Sequence, residues 1–171
     1  MESIKIRTAT TDDISKLWDM LISMGAARAD GYYDSALEHQ SKGLKSVFIA
    51  SLDGQDAAWC MLTWQPKYAF FRKMEIPEIQ DLNVLPDFRR RGVANFMIDH
   101  CENLARGKGC EYMGIGVGMD ASYGAAQQLY VRRGYVPDGN GLTYDRKTLA
   151  KGDFKPVDDD MSLMLIKSLQ M

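Results

Sequence analysis

Lys45–Leu52 and Asp56–Trp64 are both rich in β-branched and aromatic side chains, and Asp53-Gly54 stands between them. An Asp-Gly pair accepts the positive backbone angles of a two-residue hairpin turn, whose twist matches that of the flanking strands. Two antiparallel strands are predicted, and such a hairpin must bury a face against other elements. The rest of the chain supplies them. Upstream, Ile4–Arg7 alternates like a short strand, and Thr10 or Thr11 can cap a helix carrying Ile14, Leu17, Trp18, Leu21 and Met24 on one face. A second helix is predicted from about Asp30 to Lys42, ended by Gly43. Downstream, Glu78–Val84 reads as a strand stopped by Pro86, and Val93, Met97, Cys101 and Leu104 mark a helix that ends in Gly107 and Gly109. A strand from Cys110 to about Val117 follows, then a helix from about Ala121 to Arg133 closed by Gly134, then short strands near Leu142–Asp145 and Met161–Lys167. A chain of 171 residues without an internal repeat or linker-like tract is expected to form one domain over 1–171. Its class is α/β of the mixed α+β kind, one sheet flanked by helices.

Several kinds of function are disfavoured. The longest apolar stretch, Ala57–Thr63, is far short of the roughly 20 residues a membrane helix needs. The N-terminal residues reach Asp12-Asp13 without the apolar run of a secretory signal, so the expected compartment is the cytoplasm. Cys60, Cys101 and Cys110 show neither disulfide-framework nor zinc-ribbon spacing, and His39 and His100 stand alone, so no metal site is expected. The net charge of −2 and a single dense basic run, Arg89-Arg90-Arg91, do not make a nucleic-acid track. That triplet suits a local anion.

Two glycine motifs compete for the anion. Arg89-Arg90-Arg91-Gly92-Val93-Ala94 follows a strand and a short loop and opens a helix. A helix N-terminus leaves backbone N–H groups unpaired and carries partial positive charge, and glycine lets an anion approach closely, so a pyrophosphate fits there. The alternative is a plain helix start with solvated arginines. The second motif, Gly116-Val117-Gly118-Met119-Asp120-Ala121, has the G-x-G-x-x-A form of a dinucleotide fingerprint, with Asp138 about 20 residues on. A dinucleotide fold needs further βαβ units, and the remaining sequence has none. These glycines are better read as loosening a strand beside a ligand or before a turn.

Glu78–Ala94, with its strand, proline turn and R-x-x-G-x-A signature, resembles the GCN5-related N-acetyltransferase (GNAT) family. Ala126–Tyr135, with Tyr130 and Gly134, is similar to that family's A-x-x-x-Y-x-x-x-G-F/Y helix end. The two motifs and the element order carry the resemblance over essentially the whole chain. It implies a central, mostly antiparallel twisted sheet with splayed central strands, around Asp81–Val84 and Met113–Gly118, and acetyl-CoA as the cosubstrate held between them. By position, the backbone of Leu82, Asn83 and Val84 would bind the pantetheine arm. Arg89 fills the motif's first position, and the amides of Arg90, Arg91, Gly92, Val93 and Ala94 would hold the pyrophosphate. Tyr123 and Ala126 would complete the coenzyme site, although Tyr123 replaces an asparagine common in the family.

The chemistry of amine acetylation adds two roles. A primary amine with a pKa near 10.4 is mostly protonated at neutral pH, so a base must help. Glu78 shares a strand face with Gln80, Leu82 and Val84 and matches a position where relatives often carry a glutamate acting through water. It ranks ahead of Asp81; the bland reading is a solvated acid after Pro77. The departing thiolate needs a proton, and the phenol of Tyr130 can donate one without being charged at rest. The bland reading of Tyr130 is a core aromatic. Backbone N–H groups near Asn83 and Val84 could polarise the thioester carbonyl.

The acceptor is read as a primary amine of a small molecule or peptide. Asp30, Asp34 and Glu38 recur every four residues, and with Asp158-Asp159-Asp160 they would suit a polycationic, aminoglycoside-like amine. A solvated acidic surface is the simpler account. Trp59, Trp64, Tyr68, Phe70 and Phe71 could line an aromatic pocket or belong to the core. The alternatives to an enzyme are a non-catalytic acyl-CoA-binding regulatory module and an interaction scaffold. A homodimer through C-terminal strands, common among relatives, is an assembly the sequence leaves open.

Overall fold

The Asp53-Gly54 turn forms as predicted, with φ of 49° and 83°. It joins β2 (Lys45–Leu52) to β3 (Gln55–Thr63) in antiparallel register from Leu52 opposite Gln55 to Lys45 opposite Thr63. The computed structural model describes residues 2–170. By internal packing the chain divides into two compact units, the first running to Trp64 and including Ile79–Leu104, the second comprising Gln65–Glu78 and the residues from Ala105 onward.

In the first unit the strand order is β1 (Ile4–Thr8), β2, β3 and β4 (Glu78–Val84), the last beginning at the unit's border. Helices α1 (Ile14–Ser23) and α2 (Tyr32–Ser41) cover one face. Leu17, Leu21, Tyr33 and Leu37 pack there on Val47, Ile49, Trp59 and Met61, all buried. The alternate residues of β2 and β3 point the other way, toward α4 (Val93–Gly107): Phe48 meets the His100 ring edge-on at 4.7 Å, and the sulfurs of Cys60 and Cys101 lie 3.9 Å apart. A sheet covered on both faces explains why these strands read as continuous apolar runs. Each fully buried leucine contributes roughly 1.5–3 kcal/mol of transfer free energy. Thr10 opens a 3₁₀ turn (Thr11–Asp13) ahead of α1 instead of capping α1 itself; its N–H donates to the Asp13 carboxylate at 2.9 Å while the Arg7 guanidinium grips both carboxylate oxygens at 2.6 and 2.7 Å.

In the second unit β5 (Tyr112–Gly118) pairs antiparallel with β8 (Met161–Ser168), and β8 pairs antiparallel with β6 (Val136–Tyr144). β6 turns through Asp145-Arg146 into the two-residue β7 (Lys147–Thr148). Helices α3 (Ala69–Lys73) and α5 (Gly124–Arg132) complete this unit, and Tyr68, Phe71, Ile76 and Met164 form its apolar cluster. The mixed α/β class with a mostly antiparallel sheet is as expected. Three details differ. The segment after the hairpin contains the short helix α3, which its aromatic run conceals. Helix α5 starts three residues later than predicted, because Asp120 accepts from the Ser122 N–H at 2.7 Å and winds Ala121–Tyr123 into a separate 3₁₀ turn. β6 begins at Val136 rather than near Leu142, since pairing with β8 holds a stretch whose Pro, Asp, Gly and Asn residues look like a loop.

Gly114, Gly116 and Gly118 lie on one face of β5, because strand side chains alternate. A Cβ at Gly114 would collide with the Phe71 ring and one at Gly118 with the Tyr123 ring, while one at Gly116 would stand 3.3 Å from Arg146 Nη1. The glycines clear one face of the strand so that three side chains can lie flat on it.

Candidate active site

β4 leads into the Arg-Gly turn within the first unit. Asp81 lies within the strand at φ of 51°, a left-handed geometry that costs an aspartate on the order of 1 kcal/mol. Its buried carboxylate is tied down by three donors: Arg28 at 2.9 Å, Trp59 Nε1 at 3.1 Å and Asn83 Nδ2 at 2.9 Å. Asp81 is therefore held in this conformation by its carboxylate, and Asn83 spends its side chain there as well, also donating to the Asp81 carbonyl at 3.0 Å. Leu82 and Val84 complete this half-buried stretch. Beyond Pro86, Arg89 folds back to donate through Nε to the Val84 carbonyl at 3.0 Å. Arg90 and Gly92 both take positive φ, 60° and 83°, the left-handed geometry found where backbone N–H groups gather around an anion. Val93 anchors the first turn of α4 in the core, and Ala94 follows it. Arg91 pairs with Glu2 at 2.9 Å, with Asp53 3.8 Å away. The sequence placed these residues at one helix start, and the structure brings them together there.

The second unit holds a cluster that the sequence did not suggest. Glu78 is fully buried, and its carboxylate lies 2.8 Å from Arg146 Nη2. Arg146 also donates through Nη1 to Ser162 Oγ at 3.2 Å. The Asp145-Arg146 turn has φ of 48° and 62°, the two left-handed angles of a two-residue hairpin connection. Glycine or asparagine usually accepts them; here an arginine does, and that strained backbone directs its side chain over Gly116. The solvated-acid reading of Glu78 is thereby corrected, since the side chain is buried against an arginine.

Arg146 also lines a hollow of about 350 Å³ with Lys67, Tyr68, Ala69, Phe70, Asn140, Lys147 and Thr148. Tyr68 donates to the Asp138 carboxylate at 2.7 Å, and burial together with that bond pushes its phenol up to about 12. Of the aromatics proposed for a pocket, Tyr68 and Phe70 line this hollow, whereas Trp59 and Phe71 are fully buried core residues. Tyr130 is buried on α5, its ring 6.2 Å from that of Tyr135. Ala126 lies one turn earlier on the same helix. Tyr123 lays its ring on Gly118 and donates to Asp159 at 2.7 Å, so its role in the described structure is to tie down the acidic segment. Three of the six acids proposed for a polycation are engaged elsewhere: besides Asp159, Asp158 accepts from Tyr144 at 2.7 Å and Glu38 pairs with Lys42 at 2.6 Å. Arg146, Ser162 and the two lysines of the hollow escaped sequence reasoning. Only the Asp145-Arg146 turn left a faint signal, as a charged pair between short β-prone runs.

A strand carrying the left-handed Asp81, a proline turn and an Arg-Gly helix start thus follow one another between Glu78 and Ala94. Residues 14–135 match the model of the acetyltransferase (GNAT) family, and the chain belongs to that family. No curated protein matches the chain significantly by sequence. Among solved structures it is similar to the ribosomal-protein-S18-alanine N-acetyltransferase from Escherichia coli, with 15% identity, a TM-score of 0.71, and 99% of this chain and 96% of that one covered. It is similar to Ard1 from Thermoplasma volcanium, with 14% identity, a TM-score of 0.71, and 98% and 99% covered. It also resembles a GNAT family acetyltransferase from Elizabethkingia anophelis with acetyl-CoA bound, with 15% identity, a TM-score of 0.66, and 96% and 97% covered. At such identities the likeness shows the fold. No helix among the described residues is long and apolar enough to cross a membrane.

Proposed function

We propose that the protein transfers an acetyl group from acetyl-CoA to a primary amine of a small molecule or peptide. The observation that carries this reading is the turn from Val84 to Ala94, where Arg90 and Gly92 hold left-handed backbone angles at the start of a 15-residue helix. Acetyl-CoA bound in the Elizabethkingia anophelis structure of the same fold supports the choice of coenzyme. The turn's amides and the α4 N-terminus receive the diphosphate, with Arg89, Arg90 and Arg91 supplying counter-charge. The backbone of Leu82, Asn83 and Val84 receives the pantetheine arm, and Tyr123 and Ala126 adjoin the coenzyme.

The amine nitrogen attacks the thioester carbon, and the amine's proton passes through water to Glu78. The tetrahedral intermediate then expels the thiolate by breaking the C–S bond, and the Tyr130 hydroxyl protonates the sulfur. The products are an N-acetylated amine and CoA with a free thiol. Glu78 suits the base better than Asp81, whose carboxylate is already held by three donors. A thermal-shift titration with acetyl-CoA, followed by an amine panel read by thiol release, tests this function. A rise in melting temperature and amine-dependent thiol release are expected. Stabilisation with no release from any amine would leave a coenzyme-binding module and overturn the enzyme.

A further inference from the structure

The hollow of the second unit has an unusual distribution of charge. Its lining includes Lys67, Arg146 and Lys147 and no carboxylate. The nearby acids stand behind the cations: Asp145 pairs with Lys67 at 2.7 Å, Glu78 with Arg146 at 2.8 Å, and Asp138 accepts from Tyr68 at 2.7 Å and from Asn140 Nδ2 at 3.1 Å. Lys147 forms no ion pair among the described residues. A guanidinium has five N–H donors, and Glu78 and Ser162 engage those at Nη2 and Nη1 without exhausting them. The floor, with Ala69 and Phe70, is apolar. The volume, about 350 Å³, is at the small end of ligand sites.

We propose that this hollow binds the amine acceptor and that the acceptor is itself anionic, a small amine carrying a carboxylate as an amino acid does. The proposal rests on the acetyltransferase reading, because Arg146 joins the hollow to Glu78, the residue assigned there as the base. The strained turn makes Arg146 a positioning residue: its guanidinium holds Glu78 and lines the hollow together with Lys147, where an incoming carboxylate would meet both cations. A polycationic amine would meet three cations in this hollow. Of the six acids that the sequence offered for such an amine, Asp158, Asp159 and Glu38 serve instead as acceptors for Tyr144, Tyr123 and Lys42.

The test pairs each of several amino acids, including glycine, alanine and phenylalanine, with its carboxamide as acceptor, alongside spermidine, with thiol release as the readout. Acid acceptors with kcat/KM at least tenfold above their amides are expected. Lys147→Gln should raise KM for the acids severalfold with kcat little changed and leave the amides unaffected, and Lys67→Gln should do so more weakly. Arg146→Gln exposes Glu78 to a folding defect, so the surface lysines carry the test. Equal or better turnover of the amides or spermidine, untouched by Lys147→Gln, overturns the anionic acceptor while the acetyltransferase stands. Binding of N-acetylalanine and its amide is followed in parallel by NMR. If no amine is turned over, acid-selective binding that Lys147→Gln abolishes still supports an anion site, and equal or absent binding of the two probes refutes it.

Discussion

The turn after β4 and the cluster around Glu78 are built from different materials. The first is made of backbone: positive φ at Asp81, Arg90 and Gly92 arranges carbonyls and amides, and the side chains there mostly brace that arrangement, Asn83 and Arg28 on Asp81, Arg89 on Val84. The second is made of side chains from separate segments, Glu78 at the start of β4, Arg146 from the β6–β7 turn, Ser162 on β8, over the bare Gly116 of β5. A backbone site tolerates replacement of side chains around it but not of its glycine. A side-chain site fails when a single partner is lost.

That contrast can be broken by experiment. The largest effect is expected at Arg146. Arg146→Met leaves a fully buried carboxylate without its counter-charge and should cost about 3–5 kcal/mol in chemical denaturation. Adding Glu78→Leu should recover much of that loss, and failure to recover it would show that the pair is not a unit. Tyr130→Phe follows: thiol release should fall by about 100-fold or more, as for loss of a general acid, with acetyl-CoA binding unchanged in a calorimetric titration. A variant that keeps its rate would remove Tyr130 from the chemistry.

Gly114→Ala should destabilise the protein by about 1–3 kcal/mol, because the new methyl group collides with the buried Phe71 ring. Gly92→Ala sets a Cβ on a residue at φ of 83° with no atom within 4 Å of it, so only backbone strain is at issue. A loss of about 1 kcal/mol is expected, with weaker acetyl-CoA affinity as the larger symptom. Undiminished affinity would argue against a diphosphate site made of backbone.

The smallest effect belongs to Asp13, which lies in neither cluster. Hydrogen bonds from Arg7, then from the Thr10 amide, hold its carboxyl well below the usual range against the opposing effect of burial. Its folded pKa is depressed, so its stabilisation is present above the ordinary aspartate pKa of about 3.9 and declines as acid protonates the folded form. Water around the half-exposed Arg7 keeps the contribution to about 1 kcal/mol. Asp13→Asn should cost that much at pH 7, with the difference from wild type shrinking as the pH falls below about 4.

The readable parts of the protein were those whose meaning is local. Asp53-Gly54 specifies a hairpin because the turn angles belong to those two residues. Ile14, Leu17 and Leu21 specify a helix face by spacing alone, and Pro86 with Arg89–Ala94 marks a strand end and a helix start within nine residues. β6 and α3 were obscured for the opposite reason. The glycines and asparagine of β6 favour a turn, and only β8, far along the chain, holds Val136 and Pro137 extended. Gly116 and Gly118 were recognised as unusual and Gly114 was not, and the side chains that need the bare face of β5 come from positions 71, 146 and 123.

By itself the amino-acid sequence determined the β2–β3 hairpin, the helices α1 and α4 and the proline turn that leads into α4, since backbone preference and apolar period act over a few residues. The tertiary structure decided which carboxylate meets an arginine and which cations share one hollow. It also decided that Asp81 is a buried anchor while Glu78 stands beside Arg146. Electrostatic partnership and exclusion of water depend on distance in space, and residues 78, 146 and 162 meet only after the strands that carry them have paired.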